Sequence, residues 1–146
     1  AAPETAPAPE PVDRLGLAAE EGARVQADVA GDSAVVRGEE RLLRRAVRNL
    51  LENARRYGGD AVTVTVSLQG SEAVLEVADR GAGVPEAYRE RIFEPFFRLP
   101  GHAEREGGVG LGLALVRQIA ERHSGRVDCR AREGGGSVFS LRLPLA

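Results

Sequence analysis

Three polar residues fall on one line of a helix-forming stretch. Asn49, Asn53 and Arg56 stand at i, i+4 and i+7 beside the apolar stripe Leu42, Leu43, Ala46, Val47, Leu50, Leu51 and Ala54. At 3.6 residues per turn they share one side of the helix, at the edge of its buried face. Asparagine is a weak helix former, so two on one line suggest a polar task. One task is bridging to nearby backbone. The other is ligation: an amide oxygen is a hard donor suited to Mg²⁺, which keeps waters and shares phosphate oxygens. A second group follows an apolar run: Asp79-Arg80-Gly81-Ala82-Gly83. A carboxylate there can accept a hydrogen bond from an exocyclic amine, and glycines let backbone approach a flat ligand. The alternative is an ordinary Asp-x-Gly turn. A third group, Gly107-Gly108-Val109-Gly110-Leu111-Gly112-Leu113, opens a helical pattern. It bares N–H groups at the positive end of a helix dipole, an anion site, or else it is a hinge.

The elements that must position these groups follow from periodicity. Residues 39–57 form the strongest helix, stopped by Gly58-Gly59. Residues 110–123 form a second helix, ended by Ser124-Gly125. Strands are predicted over 23–29, 34–37, 61–68, 73–78, 126–132 and 137–143, with a hairpin turn at Gln69-Gly70-Ser71 and another at Gly134-Gly135-Gly136. Pro85 starts a further helix to Arg91 by sitting in its first turn. Residues 1–11 (AAPETAPAPEP) read as a linker or disordered arm, leaving 12–146 as one domain. The fold class is α/β: a two-layer sandwich of a mixed sheet with helices on one face.

Composition removes competing chemistries. All 20 basic residues are arginine, so a Walker-type P-loop, a lysine-dependent protein-kinase fold and Schiff-base chemistry are excluded. A net charge of −2 offers no basic field, so no nucleic-acid partner and no membrane-surface contact are expected. One cysteine and two histidines cannot close a structural zinc site; Cys129 reads as a small core or edge residue. No membrane-spanning run or signal peptide is visible, and a cytoplasmic location is expected. With no methionine, the chain reads as a piece of something longer or a processed product.

Taken in order, these groups resemble the motifs of the ATP-binding catalytic domain of sensor histidine kinases, in the Bergerat-fold superfamily. Asn49-Leu50-Leu51-Glu52-Asn53-Ala54-Arg55-Arg56-Tyr57 is similar to the N box, and Asp79 to Gly83 to the first glycine box. Phe93-Glu94-Pro95-Phe96-Phe97-Arg98 is similar to the F box, Gly108 to Leu113 to the second glycine box, and Gly134 to Phe139 to the closing glycine motif. The resemblance covers residues 12–144.

That resemblance implies two cofactors, ATP and Mg²⁺. Asn53 would hold the metal, Asn49 would assist at the phosphates, and Asp79, with Ser137, would bind the adenine amine. Tyr57 would pack on the base, and Gly81 and Gly83 would let the chain pass close to it. Residues 99–108 would form the ATP lid, with Gly108, Val109, Gly110, Leu111, Gly112 and Leu113 offering N–H groups to phosphate. Arg56 and Arg98 would supply cations, and with Asn49 would serve the transfer. Arg56 replaces the family's usual lysine, and Val109 stands where a hydroxyl residue is common. The resemblance implies γ-phosphoryl transfer to a histidine on a separate dimerisation and phosphoacceptor domain, with a response regulator downstream. His102 and His123 lack the acceptor context and read as surface or capping residues. The position that carries a glutamate base in gyrase-like ATPases is Asn49 here, an amide that cannot take a proton from water. Two other readings remain: a non-catalytic nucleotide-binding docking module, and a serine kinase of the anti-sigma type.

Overall fold

The computed structural model describes residues 10–12, 26–29, 36–58, 62–97 and 111–145. Its elements run β1 (Glu10–Val12), β2 (Gln26–Val29), β3 (Val36–Gly38), α1 (Glu40–Gly58), β4 (Thr63–Gln69), β5 (Glu72–Ala78), α2 (Gly112–Arg122), β6 (Arg126–Ala131) and β7 (Ser137–Pro144). Five strands form one sheet in the order β2-β4-β5-β7-β6, with β2 parallel to β4 and the other pairs antiparallel. The expected mixed sheet is therefore present. β1 and β3 form a separate antiparallel pair. Glu10 and Pro11, expected at the end of a loose arm, pair instead with Gly38 and Arg37.

Alternation along the strands sends one apolar row to the helices. Val64, Val77, Phe139 and Cys129 stand opposite one another across four strands, and Val66, Leu75, Leu141 and Val127 form the next row. These rows share one core with Leu43, Ala46, Val47, Leu50, Leu51 and Ala54 of α1 and Val116, Ile119 and Ala120 of α2. Burying a Val, Leu or Phe side chain contributes about 1.5–3 kcal/mol each, so this core holds the two layers together. The other sheet face carries cross-strand ion pairs: Arg126–Glu72 at 3.1 Å, Arg130–Glu76 at 2.6 Å and Arg142–Asp128 at 3.5 Å. Such exposed pairs add only about 0–1 kcal/mol apiece.

The two helices run antiparallel and are tied at both ends. At one end His123 Nε2 accepts the Glu39 backbone N–H at 3.0 Å, while Nδ1 lies 2.8 Å from the Ile119 carbonyl oxygen. Both contacts are satisfied together by the neutral ring carrying its proton on Nδ1. Arg122 pairs with Glu39 beside it, at 2.6 Å. At the other end Asn49 Nδ2 donates to the Gly112 carbonyl at 3.3 Å.

The region after Pro85 differs from expectation. In place of one helix there are two single 3₁₀ turns, Glu86–Tyr88 and Arg91–Phe93, and Pro85 precedes the first turn as its N-cap. The stretch is too short to repay helix nucleation. Its position comes from packing: Phe93 is buried with its ring edge-on to Phe139 of β7, centroids 6.1 Å apart.

Candidate functional site

Topology gathers the candidate residues at one end of the sheet. β5 stops at Ala78, and Asp79 follows. Ala78 pairs with Thr63, which lies five residues past the end of α1, so the C-terminal half of α1 sits at that end too. Ala78 also pairs with Val138, next to the start of β7. The Asn49–Gly112 contact brings the start of α2 onto α1.

Asp79 is the most constrained of these residues. It is 3% exposed, an uncommon environment for a carboxylate. Its Oδ1 accepts the Gly81 backbone N–H at 2.9 Å and the Ser137 N–H at 3.3 Å. Its own N–H donates to the Ser137 carbonyl at 2.9 Å. Two backbone donors on one oxygen fix the carboxylate plane, and among the described residues none donates to Oδ2. Ser137 is buried at 3% exposure, and its backbone N–H is the atom that engages Asp79. The expected role for it was a hydroxyl or water contact to the base.

Glycines build the wall behind this aspartate. A Cβ on Gly136 would lie 1.9 Å from the Asp79 carbonyl oxygen, so backbone meets backbone there. Gly83, at φ +82°, would place a Cβ 3.2 Å from the Gly136 oxygen. The sequence marked residues 134–136 as a turn; that it braces Asp79 across 57 positions of chain was not legible.

Asn49 and Asn53 are half-buried on α1, Arg56 is exposed, and Glu52 is exposed off their line. Leu111 and Gly112 are exposed at the start of α2, and Leu113 is half-buried. Among the described residues no side chain caps this helix, so its first N–H groups lack a side-chain acceptor there. Tyr57 belongs to α1, but its side chain lies outside the described residues. Arg98, Gly108, Val109 and Gly110, the lid 99–108 and His102 also lie outside them. Of the F box, Phe93 is core, Phe97 packs against Tyr88 with Arg91 over its ring, and Phe96 is 67% exposed at φ +66°.

Cys129 lies within the core beneath this region. Burial pushes its thiol up to about 12; Asp79 and Asp128 add to the rise, while Arg89 and Ser137 oppose it. It is therefore a neutral packing residue at physiological pH. Among the described residues no helix is long and apolar enough to cross a membrane.

A mixed α/β sandwich whose aspartate follows a strand and whose helix starts uncapped beside a carboxamide line defines a nucleotide-binding class. Comparison with known proteins agrees. Residues 38–146 match the family described as histidine kinase-, DNA gyrase B- and HSP90-like ATPase, and the chain belongs to that family. Sensor protein RstB of Escherichia coli (strain K12) is 46% identical over 106 residues, covering 72% of this chain and 24% of RstB. Sensor protein CutS of Streptomyces coelicolor is 42% identical over 120 residues, 78% of this chain and 28% of CutS. The chain thus spans about a quarter of the length of these curated relatives. Among solved structures, the mycobacterial sensor histidine kinase MprB superposes with a TM-score of 0.78 at 29% identity, over 94% of this chain and 97% of that one. The ATP binding domain of PrrB from Mycobacterium tuberculosis gives 0.75 at 30% identity, over 96% and 99%.

Proposed function

We propose that this domain binds Mg·ATP and presents the γ-phosphoryl group to a histidine on a separate dimerisation and phosphoacceptor domain. A response regulator would receive the phosphoryl group afterwards. The observation that carries this reading is Asp79, buried, oriented by two backbone N–H groups and left with one oxygen to accept the adenine amine. That acceptor matches adenine and repels the carbonyl that guanine presents at the same position. Gly81 and Gly83 give the base close access to backbone. Ser137 holds Asp79, and Tyr57 would cover the base.

The phosphates then point toward α2. Its first turn, Leu111 to Leu113, offers N–H groups and the positive dipole end, and the N–H groups of Gly108, Val109 and Gly110 would add to them. Asn49 ties this turn to α1 and keeps its distance from Asn53 fixed. Asn53, a half-exposed amide, fits a hard cation that takes its remaining ligands from phosphate and water. Bound there, Mg²⁺ would neutralise charge on the β- and γ-phosphates. Arg56 and Arg98 add fixed positive charge. The domain supplies positioning and electrostatic stabilisation, and its own chain supplies no general base at Asn49. This favours transfer to a partner over hydrolysis.

The test uses two substitutions. Asp79→Asn keeps an oxygen for the Gly81 and Ser137 N–H groups but turns an NH₂ toward the adenine amine. It should fold like the parent and lose ATP affinity by about 10–100-fold. Asn53→Ala should weaken binding in Mg²⁺ and leave metal-free binding unchanged. Labelled ATP with a cognate dimerisation domain should yield phosphohistidine. Full Mg·ATP affinity in both variants would refute the site. Binding without transfer would leave a docking module, and phosphoserine on a partner would indicate a serine kinase.

A further inference from the structure

A second concavity is bounded by the glycine-rich loops 82–84 and 135–136. Its volume is about 710 Å³, and its lining includes Gly83, Val84, Tyr88, Arg89, Arg132 and Gly136. That size suits a small organic ligand. Neither Asn49, Asn53, Asp79 nor Ser137 lines it. Gly83 and Gly136 line it from the loop that also passes Asp79, so it adjoins the nucleotide site without sharing those four polar residues.

Its chemistry is one-sided. Arg89 and Arg132 are among its lining residues, and among the described residues no carboxylate lines it. Among the described residues neither arginine forms an ion pair. Arg89 spends its Nε on the Val84 carbonyl, at 3.0 Å, which holds that guanidinium in place. Arg132 Nη1 is buried with no hydrogen-bond partner. A buried cationic donor without a partner is costly, and a rotation of the guanidinium toward the cavity would let an anion there satisfy it. Arg80 Nη1 lies near Gly134, 3.7 Å from where a Cβ would stand, and adds positive charge nearby. The chain as a whole carries −2, so this is a local reversal of sign. The remaining wall is apolar: Val84, Pro85, Ala131 and the Tyr88 ring.

We propose that this cavity is a second ligand site, separate from the nucleotide site, that takes a small organic anion through a carboxylate or phosphate group held by Arg89 and Arg132. Guanidinium pairs suit planar or tetrahedral oxyanions through paired N–H donors. The apolar wall accommodates the carbon skeleton.

The test is an amide-resolved NMR titration of the chain with citrate and with inorganic phosphate at constant ionic strength, using sodium chloride as the control. Saturable shifts are expected at Val84, Ala131, Arg132 and Gly135, persisting when a non-hydrolysable ATP analogue and Mg²⁺ are saturating. Citrate binding tighter than phosphate would identify an organic carboxylate, and the reverse a phosphate ester. Arg132→Gln should weaken binding by roughly tenfold or more. It should not harm folding, because the guanidinium nitrogen it removes lacks a partner. Should that variant misfold, Arg89→Gln gives the same reading. Asp79→Asn should bind the anion like the parent, so failure of the nucleotide assignment leaves this test intact. Equal shifts with chloride would mean an adventitious ion only. That outcome, no saturable shift, displacement by nucleotide, or unchanged binding in both arginine variants would each overturn the proposal.

Discussion

Gly136→Ala is the sharpest probe of how the site is braced, because its neighbour provides the control. Gly135 and Gly136 both have positive φ, at +114° and +103°, so alanine is strained at either, by about 1–3 kcal/mol. They differ in what a methyl group would meet. At Gly135 there is nothing within 4 Å; at Gly136 the Asp79 carbonyl oxygen is 1.9 Å away and the Arg80 Cα 2.8 Å. Real Cβ contacts essentially never fall under 3.0 Å, so β5 and β7 must separate by about 1 Å at this point. The Ser137 N–H to Asp79 Oδ1 bond, already 3.3 Å, is then broken, and the 2.9 Å Asp79 N–H to Ser137 carbonyl bond is stretched beyond use.

One neutral bond and one to a charged acceptor add about 2–4 kcal/mol to the strain, giving about 3–7 kcal/mol for Gly136→Ala against about 1–3 kcal/mol for Gly135→Ala. Urea unfolding with an unchanged slope would measure the difference. Competition against a fluorescent ATP analogue would measure binding: Gly135→Ala within about threefold of the parent, Gly136→Ala weaker by about thirtyfold or more. Equal stabilities and equal affinities in the two variants would refute the claim that this turn sets the Asp79 carboxylate.

Two further outcomes follow from groups away from the ligand. Cys129 should resist a thiol reagent at pH 8 in the folded chain and react promptly in urea, because its thiol is raised to about 12. The fold favours the protonated thiol, so its contribution to stability is complete below pH 9.0 and is lost as pH rises through about 12; prompt labelling of folded protein would contradict this. His123→Ala removes the acceptor for the Glu39 N–H and should cost about 1–3 kcal/mol in calorimetry. It lies at the opposite end of α2 from Gly112, so nucleotide affinity should hold; a parallel loss of affinity would show that the helix ends are coupled.

What could be read from sequence were the features whose cause is local. The apolar stripe of α1, the alternation in β4 and the Gly70 turn each reside in a few neighbouring residues, and each forms where expected, with ends moved by one or two positions. The carboxamide line follows from helix geometry alone, and the half-buried Asn49 and Asn53 match it. Pro85 misled because its signal is local while the outcome is not. The turn there is held by Phe93 against Phe139, 46 positions away, which no window around Pro85 contains.

The same limit explains the site. Asp79 followed by Gly81 is locally an Asx-type turn, and the sequence leaves that alternative standing. The turn does form: the Gly81 N–H bonds Oδ1. What fixes the carboxylate in the orientation the proposed function needs is the second donor, from Ser137, and the close passage of Gly136. Each comes from a strand that pairs with β5 only in the folded sheet. His123 is the capping residue its surroundings predict, the C-cap of α2, and pairing in the folded state adds a second contact: its ring also accepts the Glu39 N–H at the start of α1. Local pattern therefore identifies which residues carry polar function, and pairing across the sheet determines which of their atoms are free for a ligand. The free Oδ2 of Asp79 and the orphaned Nη1 of Arg132 were both legible only once that pairing was in place.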